Sequence, residues 1–301
     1  MREHRRSGRF RRGIVYALAS LLLLLLSQRP ILPRPELVMS LKTVPTSQNR
    51  ETVQTDSSVF KAAGRSFIIR PDQQGAQEFD ENTSSLLWER EFGSIITTAA
   101  ASENLSAWGL LDGRVFILDH DGVILRIIDP HQEGIASAHP CIYALAMSEQ
   151  GESVAILYGI LPQYVLVYER KSGFYSLSYS EELQGDLRSA QSAAFSADGQ
   201  DILVKTADGL FYFDRSKGKG ALLHPDRFAG EAELLIESLG DTGFALLKAT
   251  TDERYAGIIR SGALEAYFPV PPDSFGLSAS EDSFKIKGAE EDLVFTRRDY
   301  E

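Results

Sequence analysis

The feature that most constrains this chain is a short pattern that returns along its length. Leu111–Gly122 reads LDGRVFILDHDG, Tyr164–Gly173 reads YVLVYERKSG and Ala207–Gly218 reads ADGLFYFDRSKG. Each is a hydrophobic strand, then an acid (Asp119, Glu169, Asp214), then a glycine three or four residues on. The first and third open on Asp-Gly, a hairpin signal. Weaker copies follow the same plan at Phe67–Arg70 (FIIR), Tyr255–Gly262 (YAGIIRSG) and Leu293–Arg297 (LVFTR). The last hydrophobic residues of the six strands are Ile69, Leu118, Tyr168, Phe213, Ile259 and Phe295. They lie 49, 50, 45, 46 and 36 residues apart. A second register runs with the first: Ala146–Gly151 (AMSEQG), Ala194–Gly199 (AFSADG) and Leu277–Asp282 (LSASED) look like the turn after each repeat's first strand.

A period near 45 residues that holds about four short strands is the spacing of a β-propeller blade. One such sheet cannot bury both of its faces alone, so several must pack side by side in a ring. No amphipathic helix is evident from Val59 onward, and the expected class is all-β: six blades of four-stranded antiparallel sheet over residues 59–301. A seventh blade is admissible if a degenerate copy lies in residues 36–58. The last repeat offers three strands, near 274–278, 283–287 and 292–296. Pairing of an early segment, Glu36–Leu41 (ELVMSL), would complete that blade and cover its open edge.

Leu86–Gly122 (LLWEREFGSIITTAAASENLSAWGLLDGRVFILDHDG) resembles a repeat of the PQQ-like, quinoprotein-type propellers, through Leu86-Leu87-Trp88 of an outer strand, Gly93-Ser94 before the next inner strand, and the Asp112-Gly113 hairpin. Phe195–Gly199 (FSADG) is similar to WD-repeat-like propellers. The resemblance implies the architecture. A quinoprotein dehydrogenase would also carry a central cofactor with calcium ligands and usually a vicinal disulfide. With Cys141 as the single cysteine that disulfide cannot form, so neither PQQ nor another cofactor is expected.

Ahead of the repeats, Met1–Arg12 is strongly basic and Gly13–Ser27 (GIVYALASLLLLLLS) is apolar, with leucine at every position from 21 to 26. A basic segment followed by an apolar run is the layout of a secretory signal, with the arginines held in the cytoplasm. Fifteen residues make about 22 Å of helix, short for a hydrocarbon core of about 30 Å, although flanking arginines can snorkel. Leu25 is a poor fit to the small residue that cleavage needs. Residues 1–12 are therefore expected as a cytoplasmic basic region and 13–28 as an uncleaved single-pass signal anchor in a bacterial inner membrane. Residues 29–58, punctuated by Pro30, Pro33, Pro35 and Pro45, read as a stalk that holds the propeller in the periplasm. A signal peptide cleaved to release a periplasmic protein is the alternative. No cysteine follows the apolar run, so lipoprotein anchoring is excluded.

Charge is divided between these parts. Residues 1–34 hold eight arginines and one acid, Glu3, which leaves 23 basic and 41 acidic side chains for the remainder, a net of −18. A body so acidic repels phosphate backbones and anionic headgroups, which excludes nucleic acid as a partner.

No catalytic, cofactor-binding or metal-binding constellation emerges. Asp119-His120-Asp121-Gly122 starts like a calcium loop, but apolar Val123-Ile124-Leu125 follows and no acid closes it, so a tight hairpin is expected. His131 and His139 flank Cys141 without the paired spacing of a zinc site, and Cys141 reads as a small buried hydrophobe. Hydrolysis would need paired carboxylates or a nucleophile elbow; the acids are scattered at turns and no G-x-S-x-G occurs. Trp88 and Trp108 read as blade packing. The expected function is a non-enzymatic, membrane-tethered interaction or scaffold module whose partners are envelope proteins. The alternative is a small-molecule sensor or enzyme with its site in the central channel.

Overall fold

In a computed structural model of the chain, the residues described are 58–62, 65–80, 82–183, 192–206, 208–230, 232–240, 243–250, 253–280, 283–289 and 291–296. They form six antiparallel sheets in chain order, each a simple meander. Blade 1 is β1 (Ser58–Ala62), β2 (Arg65–Ile69), β3 (Gly75–Phe79) and β4 (Leu86–Glu91). Blade 2 is β5 (Ile96–Ala101), β6 (Leu105–Leu110), β7 (Val115–Asp119) and β8 (Ile124–Ile128). Blade 3 is β9 (Ile142–Met147), β10 (Ser153–Tyr158), β11 (Gln163–Lys171) and β12 (Phe174–Leu183). Blade 4 is β13 (Ala193–Phe195), β14 (Asp201–Thr206), β15 (Gly209–Asp214) and β16 (Lys219–Leu223). After a single helical turn, α1 (Pro225–Phe228), blade 5 is β17 (Glu233–Leu239), β18 (Gly243–Ala249), β19 (Arg254–Arg260) and β20 (Ala263–Val270). Blade 6 has three strands, β21 (Gly276–Ala279), β22 (Ser283–Lys287) and β23 (Leu293–Thr296). Residues 1–57, with the expected anchor and stalk, lie outside the described part. Among the described residues no helix is long and apolar enough to cross a membrane.

The sequence forces blade-on-blade packing because the middle strands of blades 2 to 5 hold runs of consecutive apolar residues, not apolar residues at every second position. Side chains alternate across a strand, so each middle strand feeds two cores. In β10, Val154, Ile156 and Tyr158 join blade 2 while Ala155 and Leu157 join blade 4. In β7, Val115 and Ile117 face blade 3 and Phe116 and Leu118 face blade 1. The same division recurs in β14, β15, β18 and β19, giving five clusters, one for each pair of successive blades. Fully buried Trp108 anchors the first of them, with Phe60, Phe67, Trp88 and Phe92 around its ring at centroid distances of 5.4–6.3 Å.

The repeating acid has a local cause. Asp119 Oδ1 accepts the N–H groups of Asp121 (3.0 Å) and Val123 (2.8 Å), and Asp214 Oδ1 accepts that of Lys217 (3.0 Å). A short carboxylate thus closes the turn between a blade's third and fourth strands. Gly122 follows because it sits at φ +73° and a Cβ there would lie 2.5 Å from the Trp88 ring. The FIIR segment departs from this scheme. Phe67–Ile69 belongs to a second strand, and the third strand of blade 1 is β3, whose Asp80 closes the matching turn by accepting from Asn82 and Thr83. The apolar pattern is weak in β3 because it carries a buried acid, Glu78. Arg65 binds that carboxylate at 2.8 and 2.6 Å, and Trp88 Nε1 donates to it at 2.6 Å.

Blade connections are also pinned. Between blades 4 and 5, Phe228 is buried, Lys248 Nζ donates to the Arg227 carbonyl at 2.5 Å, and Lys205 Nζ donates to the carbonyls of Thr206 and Gly230, the latter at 3.0 Å. Lys205 is 2% exposed. Burial, and then the Lys248 ammonium, push its pKa down to about 8.

Three outcomes follow from this packing. Trp108→Ala should cost about 3–5 kcal/mol in urea unfolding, since the ring is fully enclosed. Between about pH 8 and 10 the native state sheds the Lys205 proton while the unfolded chain, titrating near 10.5, keeps it, so stability should rise with pH across that window. The gain from about pH 7.5 to about pH 9.5 should be roughly 2 kcal/mol, and Lys205→Met should flatten it. Finally, the third strands β3, β7, β11, β15 and β19 are largely buried, but in β23 Leu293 and Phe295 are half-exposed and Val294 is 59% exposed. The expected covering strand, Glu36–Leu41, lies outside the described residues. Deletion of residues 36–42 should abolish the cooperative melting transition; an unchanged melt would mean that three strands suffice.

Candidate interaction surface

In a four-stranded meander, the link from an outer strand to the next blade leaves from the same end as the hairpin between the second and third strands. All inter-blade connections therefore share one face with those hairpins, and the other face carries the remaining turns. The most built-up part of the connection face is the segment from β8 to β9, residues 129–141. Its first half is a turn in which Glu133 N–H donates to the Asp129 carbonyl (3.1 Å) and Ile135 N–H to that of Pro130 (2.9 Å). Glu133 then receives the Tyr168 hydroxyl at 2.7 Å and Arg126 at 3.3 Å, tying the loop to blade 3 and to the outer strand of blade 2. Burial and this carboxylate raise the Tyr168 hydroxyl above the ordinary phenol range, so it stays a donor.

The second half is held against the β10–β11 hairpin. His139 and Ile160 exchange N–H and carbonyl groups (3.3 and 3.2 Å), Ala138 N–H donates to the Leu161 carbonyl (3.2 Å), and the Ser137 hydroxyl donates to that of Ile160 (2.7 Å). Gly159 allows this approach: at φ +77°, a Cβ would lie 2.5 Å from Ser137 Oγ. The result is a fixed shelf of backbone from which Leu161 projects at 54% exposure, with His131, Gln132, Ala136, Ala138 and His139 also exposed.

The residues singled out in the sequence separate clearly. Cys141 is buried, and burial pushes its thiol up to about 12, so no thiolate is offered at neutral pH. His131 and His139 lie on the exposed shelf, His120 and Asp121 on the exposed β7–β8 turn, and His224 half-buried at the start of α1; His4 lies outside the described residues. Asp119 spends one carboxylate oxygen on its own turn. Among the described residues no three His, Cys, Asp or Glu side chains gather closely enough to hold a metal. Trp88 and Trp108 are buried against each other at 6.2 Å. Sequence reasoning missed the shelf because main-chain hydrogen bonds build it; Gly159 and Pro162, three apart, were its available signal.

The innermost strands β5, β9, β13 and β21 (ITTAAA, IYALAM, AAF and GLSA) carry no charged residue. Of the other two, β1 (SVFKA) carries Lys61, and β17 carries Glu233 and Glu237. On the opposite face, Arg215 reaches across blades to Glu169 at 2.6 Å, and that guanidinium, with Lys171, holds the carboxyl below its usual range.

Comparison with solved structures places this architecture among propellers of several kinds. BamB from Moraxella catarrhalis is 14% identical, with a TM-score of 0.53 over 80% of this chain and 73% of that one. Hydrazine synthase from Kuenenia stuttgartiensis is 11% identical, with a TM-score of 0.53 over 77% and 73%. A chain of a mitotic checkpoint complex is 10% identical, with a TM-score of 0.55 over 81% and 76%. At these identities the likeness concerns the fold, and the fold occurs in an enzyme as well as in a mitotic checkpoint complex. No curated protein matches the sequence. The sequence does match a family model described as beta-propeller protein over residues 38–240. With six antiparallel blades that pack on one another in chain order, the chain belongs to that family of β-propeller proteins.

Proposed function

We propose that this chain is a non-enzymatic, membrane-tethered propeller that docks proteins of the bacterial envelope, held to the inner membrane by residues 13–28 with its blades in the periplasm. The observation that carries the reading is the shelf at residues 137–139 and 159–161. A surface loop bound by reciprocal backbone hydrogen bonds has little conformational freedom left to lose on docking, and that is how rigid binding loops gain affinity. The uncharged inner strands β5, β9, β13 and β21 support the same reading, because a catalytic or sensing site in the central channel needs convergent polar groups. The acidic body supports a protein partner over nucleic acid.

Photo-crosslinking residues placed at Gln132 and His139 of the full chain in its native membrane should capture a stoichiometric protein partner. Leu161→Asp should reduce that capture at least several-fold without changing the melting temperature. Capture of no protein from either position would contradict the docking reading.

A further inference from the structure

A second surface lies away from the shelf. Six of the twelve large apolar side chains exposed among the described residues fall on one stretch of rim: Leu86, Leu87, Val123, Ile124, Leu125 and Ile127, each 40–52% exposed. They fall into two groups on adjoining blades, which meet where Trp88 of β4 packs on Gly122 and Arg90 Nε donates to the Gly122 carbonyl at 2.7 Å, and four of the six follow one another within residues 123–127. Leu118 opposes Ile124 and Phe116 opposes Ile127 across the β7–β8 pair, which puts both isoleucines on the face of blade 2 that packs on blade 1. Solitary exposed apolar residues need no explanation, but a contiguous patch marks a contact surface.

The patch includes an open sheet edge. β8 is the outer strand of its blade and pairs with β7 on one side. Outer strands are normally defended by charge or proline, and the others here are: β4 has Glu89, Arg90 and Glu91, β12 has Glu181 and Glu182, β16 has Lys219, and β20 has Glu265 and Pro269. β8 reads ILRII, and its one charge, Arg126, is drawn to Glu133. Asp119 and Asp121 precede the strand, while Asp129 and Glu133 follow it. The edge thus carries apolar residues on either side of the half-exposed Arg126 and is acidic at both ends.

We infer that β8 takes up an extended segment of another protein as a fifth strand of blade 2, a segment apolar at its centre and basic at both ends. The edge supplies main-chain groups for strand addition, and the isoleucines and leucines supply the side-chain contacts. Charge selects the occupant. In a two-fold pairing of β8 with a second copy, Asp119 and Asp121 of one would meet Asp129 and Glu133 of the other, acid against acid, on bodies of net −18. Anionic lipid is repelled for the same reason. The inference rests on the docking reading and adds the class of partner for a different part of the surface.

The test uses the full chain in detergent and the synthetic peptide Lys-Lys-Val-Thr-Val-Thr-Val-Lys-Lys, labelled for fluorescence anisotropy. Saturable binding is expected, at least tenfold weaker for the version with Glu replacing Lys, and weaker as salt is raised. Leu125→Lys, which defends the edge, should weaken binding at least tenfold, and Asp121→Lys several-fold, with melting temperatures unchanged. Equal affinity in Leu125→Lys, or no binding of the lysine-flanked peptide, would overturn the inference. So would a dimer of the unaltered chain that Leu125→Lys dissociates, since the edge would then belong to a second copy. If Gln132 and His139 still capture a partner while the peptide fails to bind, this inference alone falls. Capture of no partner there is the separate failure of the docking reading.

Discussion

Each of blades 2 to 5 is a sheet with two apolar faces, and that is the constraint on which everything else depends. Such a sheet is insoluble by itself, and it becomes stable when a neighbour covers each face. Their middle strands meet this demand with consecutive hydrophobic residues that serve opposite cores: Leu203 faces blade 5 while Ile202 and Val204 face blade 3. The energy of the fold therefore lies between blades. Polar ties are laid across the same boundaries, as Arg90 shows at the Gly122 carbonyl and Arg215 at Glu169. Each is partly exposed and contributes modestly; their effect is to fix how one blade sits against the next.

Rigid spacing between blades has a direct consequence for the loops. A connection anchored at both ends on stacked sheets can be held by short main-chain hydrogen bonds, as residues 137–139 are against Ile160 and Leu161. Side chains on this fixed backbone are then presented in a set geometry, while the inner strands β5, β9 and β13 are built largely from alanine, threonine and aliphatic residues. The blade edges follow the same logic. Four outer strands carry charges or proline at their edges, while β8 has Arg126 alone among apolar residues and, among the described residues, β23 has no fourth strand beside it.

Much of the architecture could be read from the residues because the repeat has a physical cause. An acid at the end of a third strand closes its own turn, so Asp119 and Asp214 mark blades 2 and 4, and the second register correctly marked the turns after β9, β13 and β21. Blade 1 was misaligned by one strand because its third strand, GAQEF, holds Glu78 in the core, and a buried acid with its own arginine and tryptophan partners looks like a loop residue in a hydrophobicity pattern. The surface was harder to read. Val123-Ile124-Leu125 looks like any strand until the neighbouring blade is in place, and no one-dimensional pattern reports whether an isoleucine faces a core or water. Lys205 is the converse, a lysine at a position that composition assigns to solvent but that the closing of blade 4 on blade 5 buries.

Stacked blades hold the connection face rigid. Amide hydrogen exchange followed residue by residue tests it most directly. If the claim is right, the amides of Ala138, His139 and Ile160 exchange as slowly as those within β10, because they open only when blades 2 and 3 part. Exchange of those three amides at the rate of an unstructured peptide, with β10 still protected, would contradict it.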